Sequence, residues 1–280
     1  GVYQMLEDTP SAQTCHEQAL AIWETVGDRF MQARTWARIG RIQSQQEEWE
    51  SALAASDRAF SLLEALDHRP EMVDLLDTLG GNYSDQSAPE RALACYSWIF
   101  QIGLEEGAVD SFRLFKIREI DPQRAFDLAS GALEQQRTRG ARAGEARLLG
   151  ELGELHRYTE NYAQAMERYE EALNLSLELD DRQLEARALK GIADVHSSMG
   201  EKEEAHARYA QAAAIWRKLG NLMAEGRVLS AMTFDVLFDC EKLIPILERK
   251  IEVDRAIGLA TSGWEQHLDL CRQLVARKDQ

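Results

Sequence analysis

Residues 152–173 read LGELHRYTENYAQAMERYEEAL, and residues 192–213, forty positions on, read IADVHSSMGEKEEAHARYAQAA. In the first stretch Gly153 is followed after 12 residues by Ala165, after 4 more by Tyr169 and after 3 more by Ala172. The offsets recur in the second stretch at Ala193, Ala205, Tyr209 and Ala212. Working outward, the same 12, 4 and 3 steps fall on Gly40, Ala52, Ser56 and Ala59, and on Gly80, Ala92, Tyr96 and Ile99. Steps of 4 and 3 place side chains on one face of a helix, and the step of 12 has to cross a turn. A small residue in one helix and an alanine in the next let two axes approach closely while the Tyr fills the gap above them. Each unit therefore predicts a helical hairpin. The first helix of each pair carries its buried stripe at Trp36 and Ile39, Leu76 and Leu79, Leu149 and Leu152, and Leu189 and Ile192.

Composition agrees with this period. Ala, Glu, Lys, Leu and Arg make up just under half of the 280 residues, and only 5 are Pro. That bias excludes sandwiches, barrels and doubly wound sheets and predicts an all-α chain. Acidic residues outnumber basic ones by 48 to 32, and the net charge of -16 argues against nucleic acid or an anionic membrane surface as partner. No apolar run is long enough to span a bilayer. The four cysteines, Cys15, Cys95, Cys240 and Cys271, lie far apart without a CxxC, so neither a zinc site nor a disulfide framework is expected, and a reduced, cytoplasmic location is the default.

The pattern Leu152-Gly153 … Tyr162-Ala163-Gln164-Ala165 … Tyr169-Glu170-Glu171-Ala172 resembles the tetratricopeptide repeat family, in the forty-residue variety of kinesin light chains, spindle-orientation adaptors and bacterial signalling proteins. The resemblance implies a right-handed α-solenoid that binds protein or peptide without catalysis, as a region of a larger protein. The alternative it implies is a ligand-sensing regulatory region of a multidomain bacterial signalling or effector protein. No phosphate loop, dinucleotide fingerprint, zinc-protease motif or nucleophile elbow supports an enzyme or a cofactor.

The joints Gly27, Asp67, Gly107, Gly140, Asp180 and Gly220 are spaced 40, 40, 33, 40 and 40. They divide a single solenoid, 1–280, into a truncated unit 1–28, repeats 29–67, 68–107, 108–140, 141–180 and 181–220, a degenerate terminal repeat 221–260 and a capping helix 261–278. The unit 108–140 is seven residues short, with Arg113 in place of the small residue and Asp121-Pro122 closing a short first helix. Either the shortening is harmless or it kinks the solenoid. Val2–Leu6 reads as the end of a helix whose first half is missing, which predicts a fragment of a longer protein.

In the family, ligands contact the second, fifth, ninth, twelfth and thirteenth positions of each first helix, counted with the small residue as eighth. Carried onto this sequence, the frame nominates Arg34, Arg41, Arg147, Arg157, Tyr158, Arg187, Lys190, Arg227, Phe234 and Phe238. Arg147, Arg187 and Arg227 stand at repeat spacing and predict a cationic stripe for an acidic partner. The competing expectation is that these cations pair with neighbours such as Glu151, Glu154 or Asp194. The carboxylate clamp of chaperone-binding relatives is not expected, because the ninth positions hold Arg41, Gly81, Leu114, Glu154, Asp194 and Phe234 instead of Asn. His156 and His196 are read as packing residues, not a metal pair; Phe234, Leu237 and Phe238 either form an apolar binding patch or lie under the C-terminal helix, and cover by that helix is the expectation.

Overall fold

The computed structural model describes residues 9–66, 69–236 and 239–278. Among these residues the chain forms fourteen helices and no strand, as the period predicts. Val2–Leu6, Asp67, Leu237 and Phe238 lie outside the described residues. The chain divides into two compact units, residues 1–128 and 129–280, with the border inside one helix of the short repeat.

The first unit holds α1 (Thr9–Val26), α2 (Arg29–Gln45), α3 (Trp49–Glu64), α4 (Arg69–Asp85), α5 (Pro89–Glu105), α6 (Ser111–Ile120) and the start of α7 (Pro122–Arg139). Each of α1 to α5 packs on the next, α5 packs on α6, and α2 also packs on α4. The second unit holds the end of α7, then α8 (Arg142–Tyr158), α9 (Tyr162–Glu178), α10 (Arg182–Met199), α11 (Lys202–Lys218), α12 (Leu222–Asp235), α13 (Cys240–Ala256) and α14 (Ser262–Lys278). Consecutive helices from α8 to α14 pack on each other, and α8 also packs on α10 and α10 on α12.

Local chemistry explains the helix ends. Gly27, Gly107, Gly140, Asp180 and Gly220, five of the six joints, adopt positive φ. After Gly27, Asp180 and Gly220 the next helix starts on a capping side chain: Asp28 accepts from the Met31 amide, Asp181 from Gln183 and Leu184, and Asn221 from Ala224. A second set of left-handed residues lies within the hairpins. Glu47, Ser87, Glu160 and Gly200 turn the chain inside four hairpins, again at a spacing of 40 within each pair, and only the last is a glycine.

The core follows the offsets. Ala52, Ala92, Ala165 and Ala205 are fully buried, and Tyr96, Tyr169 and Tyr209 are almost so. A Cβ on Gly153 would sit 3.0 Å from the Tyr169 ring, and one on Gly191, in the following repeat, 2.2 Å from the same ring. Tyr169 is thus clasped between two first helices, which is why small residues are needed on both. In the short repeat, Arg113 reaches Asp77 of α4 at 3.1 Å with its side chain only 13% exposed. In the terminal repeat, Arg249 stands at the Tyr position and forks both oxygens of the fully buried Glu225, at 2.8 and 2.9 Å, while Arg217 donates to the same carboxylate at 2.9 Å. Burial pushes the Glu225 carboxyl upward, but the Arg249 and Arg217 hydrogen bonds outweigh it and hold the group below its ordinary range. Lys250 pairs with Asp254 beneath the Trp264 ring, joining α13 to α14.

Candidate interaction groove

Arg147, Arg187 and Arg227 each stand six residues after the N-cap of their helix, which are Ala141, Asp181 and Asn221. The cap fixes where the first turn begins, so equal distance from it means equal rotation about the helix axis. On α10 the buried residues are Leu184, Ala186, Ala188, Leu189, Gly191, Ile192, Ala193 and Val195. Among the residues that stay open, Arg187, Lys190, Asp194, Ser197 and Ser198 form one stripe. On α8 the corresponding stripe runs through Arg147, Gly150, Glu154, Arg157 and Tyr158, and on α12 through Arg227, Ser230 and Phe234. Because α8, α10 and α12 pack side by side, the three stripes form one continuous wall of the second unit.

The structure sorts the nominated residues of this wall into two kinds. Arg147, Arg187 and Arg227 are exposed and make no ion pair with any described residue. Arg157 and Lys190, nominated with them, are engaged: Arg157 forks Glu154 at 2.9 and 2.7 Å, and Lys190 donates to Asp194 at 2.6 Å. Of the two expectations for these cations, Arg157 and Lys190 follow the one that pairs them with the neighbouring ninth-position carboxylates. Those carboxylates have a second task. Tyr169 donates its hydroxyl to Glu154 at 3.2 Å and Tyr209 to Asp194 at 2.6 Å, fifteen residues back in each case. The cation, the carboxylate and the Tyr hydroxyl thus lock each first helix to its second. The hydrogen bond to Glu154 raises the affinity of the Arg157 guanidinium for its proton. Burial, then the charges of Glu154 and Asp194, raise that of the Tyr169 hydroxyl.

Tyr158 lies at the end of the α8 stripe with 46% of its surface exposed. Phe234 is 70% exposed, which corrects the expectation that the C-terminal helix covers it. The physical reason is the stacking order: α14 packs on α13, and its Leu268 and Cys271 enter the core there. Phe238 lies outside the described residues. In the first unit Arg34 again stands six residues after its N-cap, Asp28, and is exposed, as is Arg41. On the neighbouring first helix, α4, that register holds Asp74, so no cationic row forms there.

His196 Nδ1 lies 2.6 Å from Glu201, and burial, then Arg168, lowers the affinity of His156 for a proton. Among the described residues no group of three His, Cys, Asp or Glu side chains could hold a metal, and no helix is long and apolar enough to cross a membrane.

Comparison with known proteins places the fold. The chain is similar to a Rap protein solved in complex with Competence and Sporulation Factor, at 13% identity over 98% of this chain and 87% of that one, with a TM-score of 0.52. It is also similar to the apo form of RapI, at 12% identity over 88% of this chain and 99% of that one, TM-score 0.49. A third is a Signal Transduction ATPase with Numerous Domains, carrying a tetratricopeptide repeat sensor, from Pyrococcus horikoshii. There the identity is 16% over 98% of this chain, the TM-score is 0.48, and this chain spans 45% of that protein's length. No curated protein matches by sequence. The family model described as tetratricopeptide repeat matches residues 1–65 and 144–218, half of the sequence and both units, and the chain belongs to that family.

Proposed function

We propose that this region is a noncatalytic recognition surface for an acidic protein or peptide, engaged through Arg147, Arg187 and Arg227 on the wall formed by α8, α10 and α12. Tetratricopeptide repeats are protein-interaction scaffolds whose stacked units build extended binding surfaces. The observation that carries the acidic class is the state of these three side chains. They are exposed, in register and without an ion pair to a described residue, in a chain of net charge -16 that has carboxylates to spare. Arg157 and Lys190, on the same wall, found their carboxylates locally. A row of unspent cations gains from one ligand that pairs with several of them at once, although each exposed pair alone is weak. The Rap protein of similar fold is bound to Competence and Sporulation Factor. An equivalent use of the fold, with an acidic ligand, is what we propose here.

The test is binding of a fluorescein-labelled pool of random acidic peptides, followed by anisotropy. Binding should weaken with added salt and vanish when Arg147, Arg187 and Arg227 are all changed to Glu, with helical content unchanged. The Gln triple variant, which adds no repulsion, should weaken it as well. Undiminished binding in both folded variants overturns the reading.

A further inference from the structure

Resting on that reading, we infer that the ligand is a polyproline-II segment carrying an acidic side chain at every third residue, with one turn of the ligand to each repeat. The argument is a match of two lengths. Since α8 packs directly on α10 and α10 on α12, neighbouring first helices stand at packing distance. That distance is about 8–10 Å between axes. The arginines hold the same rotation on each helix, so their row has about the same step. A polyproline-II chain has three residues per turn and rises about 3.1 Å per residue, so every third side chain returns to the same face after about 9 Å. A flat β-strand covers a similar distance in three residues, but its side chains alternate, and the third one points to the opposite face.

An α-helical ligand offers a competing match, since seven residues rise about 10.5 Å. The rest of the wall argues against it. A helix in water needs an apolar stripe to bury, yet beside the arginines stand Gly150 and the Lys190–Asp194 pair, and beyond Gly150 the Glu154–Arg157 pair. The surface beside the arginine row is polar, and the exposed aromatics of the wall, Tyr158 and Phe234, stand about two or three turns further along α8 and α12. That polar surface suits a ligand whose backbone stays solvated and whose conformation is set before binding, which keeps the ordering cost low.

Three labelled peptides of equal length and charge decide the matter, each with three glutamates. One repeats Glu-Pro-Pro, the second groups its glutamates together ahead of the prolines, and the third is an Ala/Gln helix with glutamates seven apart. The Glu-Pro-Pro peptide should bind about tenfold more tightly than the grouped one, because the grouped peptide reaches one arginine well and the others poorly. Changing Arg187, the middle of the row, to Gln should erase most of that advantage. Equal affinities for the first two peptides, both lost in the triple Glu variant, would overturn the spacing and leave the acidic groove standing. Tightest binding by the helical peptide would overturn the extended ligand alone. If none of the three binds and the random acidic pool also fails, the groove reading itself falls.

Discussion

The hairpins α8–α9 and α10–α11 of the second unit differ from α2–α3 and α4–α5 of the first in one connection. In the second unit the ninth position of each first helix is an acid, Glu154 or Asp194, which takes the hydroxyl of the Tyr fifteen residues later and a cation from its own helix. In the first unit the ninth positions are Arg41 and Gly81. Ser56 replaces one Tyr, and the Tyr96 hydroxyl lies 3.5 Å from that of Ser84. The first unit spends its polar groups differently: Asn82 donates across to the Ala37 carbonyl at 3.0 Å, and Tyr83 donates to Asp57 at 3.0 Å. Regular sequence therefore yields a repeated lock, and irregular sequence a set of single solutions. The lock is also what separates engaged cations from free ones on the wall of the second unit.

The comparison breaks most easily at Gly191. A Cβ there would lie 2.2 Å from a Tyr169 ring that its Glu154 hydrogen bond holds in place, so Gly191→Val should cost about 3 kcal/mol, the upper end for overpacking. At Gly80 the Tyr96 ring would be 2.5 Å away, but its hydroxyl is barely tethered. Gly80→Ala should therefore cost less than Gly191→Ala, as urea denaturation of the two variants would show. Equal costs would mean that the tether does not stiffen the ring.

The Glu225 site sharpens the contrast through pH. Glu225→Gln keeps the shape but weakens the bonds from Arg249 and Arg217, a loss of about 1–2 kcal/mol at neutral pH, tempered because both arginines are partly exposed. The carboxyl is held below its ordinary value of 4.5 in the folded protein, so its contribution is fully present above that value and is lost as pH falls through the lowered one. The stability gap between the two proteins should be constant near pH 7 and close in that acid window. A gap that persists into strong acid would assign the effect to packing instead of charge.

The period showed in the sequence because sterics enforce it. Gly153, Ala165 and Tyr169 are the residue types that the helix contact demands, and their spacing survives any change elsewhere. The joints were legible for a similar reason at Gly27, Gly107, Gly140 and Gly220, but the turns inside the hairpins were not at Glu47, Ser87 and Glu160, where ordinary residues take positive φ and give no compositional signal. The groove was half legible. Register alone found Arg147, Arg187 and Arg227, yet the same register could not reveal that Arg157 and Lys190 were taken, because an i,i+3 or i,i+4 acid lies near most cations in so charged a chain. The sign that separates them is the Tyr fifteen residues after the acid, which buries one side of the carboxylate and fixes it for the cation. The exposure of Phe234 was not legible, because stacking order in space, α14 on α13, does not follow from an apolar stripe.

Removing one hydroxyl tests the lock at smaller scale. Tyr209→Phe gives up a 2.6 Å bond to Asp194 and should cost about 1 kcal/mol, whereas Tyr96→Phe, with a 3.5 Å contact, should cost next to nothing. Tyr209→Phe also leaves Lys190 as the Asp194 partner. If the lock is cooperative, the double variant with Lys190→Met should lose less than the sum of the two single changes, because each single change already weakens the bond that remains.

The smallest effect expected is the most direct transplant. Gly81 occupies the ninth position of α4, fifteen residues before Tyr96, and a Cβ there meets nothing within 4 Å. Gly81→Glu would place a carboxylate where Glu154 and Asp194 stand in the second unit. Two gains are expected: about 0.5–1 kcal/mol from replacing Gly within a helix, and a few tenths more if the new carboxylate accepts from the Tyr96 hydroxyl. Gly81→Ala supplies the first gain without the second, and Tyr96→Phe in the Gly81→Glu background removes the second alone. A melt of the four proteins separates these contributions. If Gly81→Glu is no more stable than Gly81→Ala, a carboxylate at the ninth position is insufficient, and the cation beside it, Arg157 or Lys190 in the native locks, is the part that holds it in place.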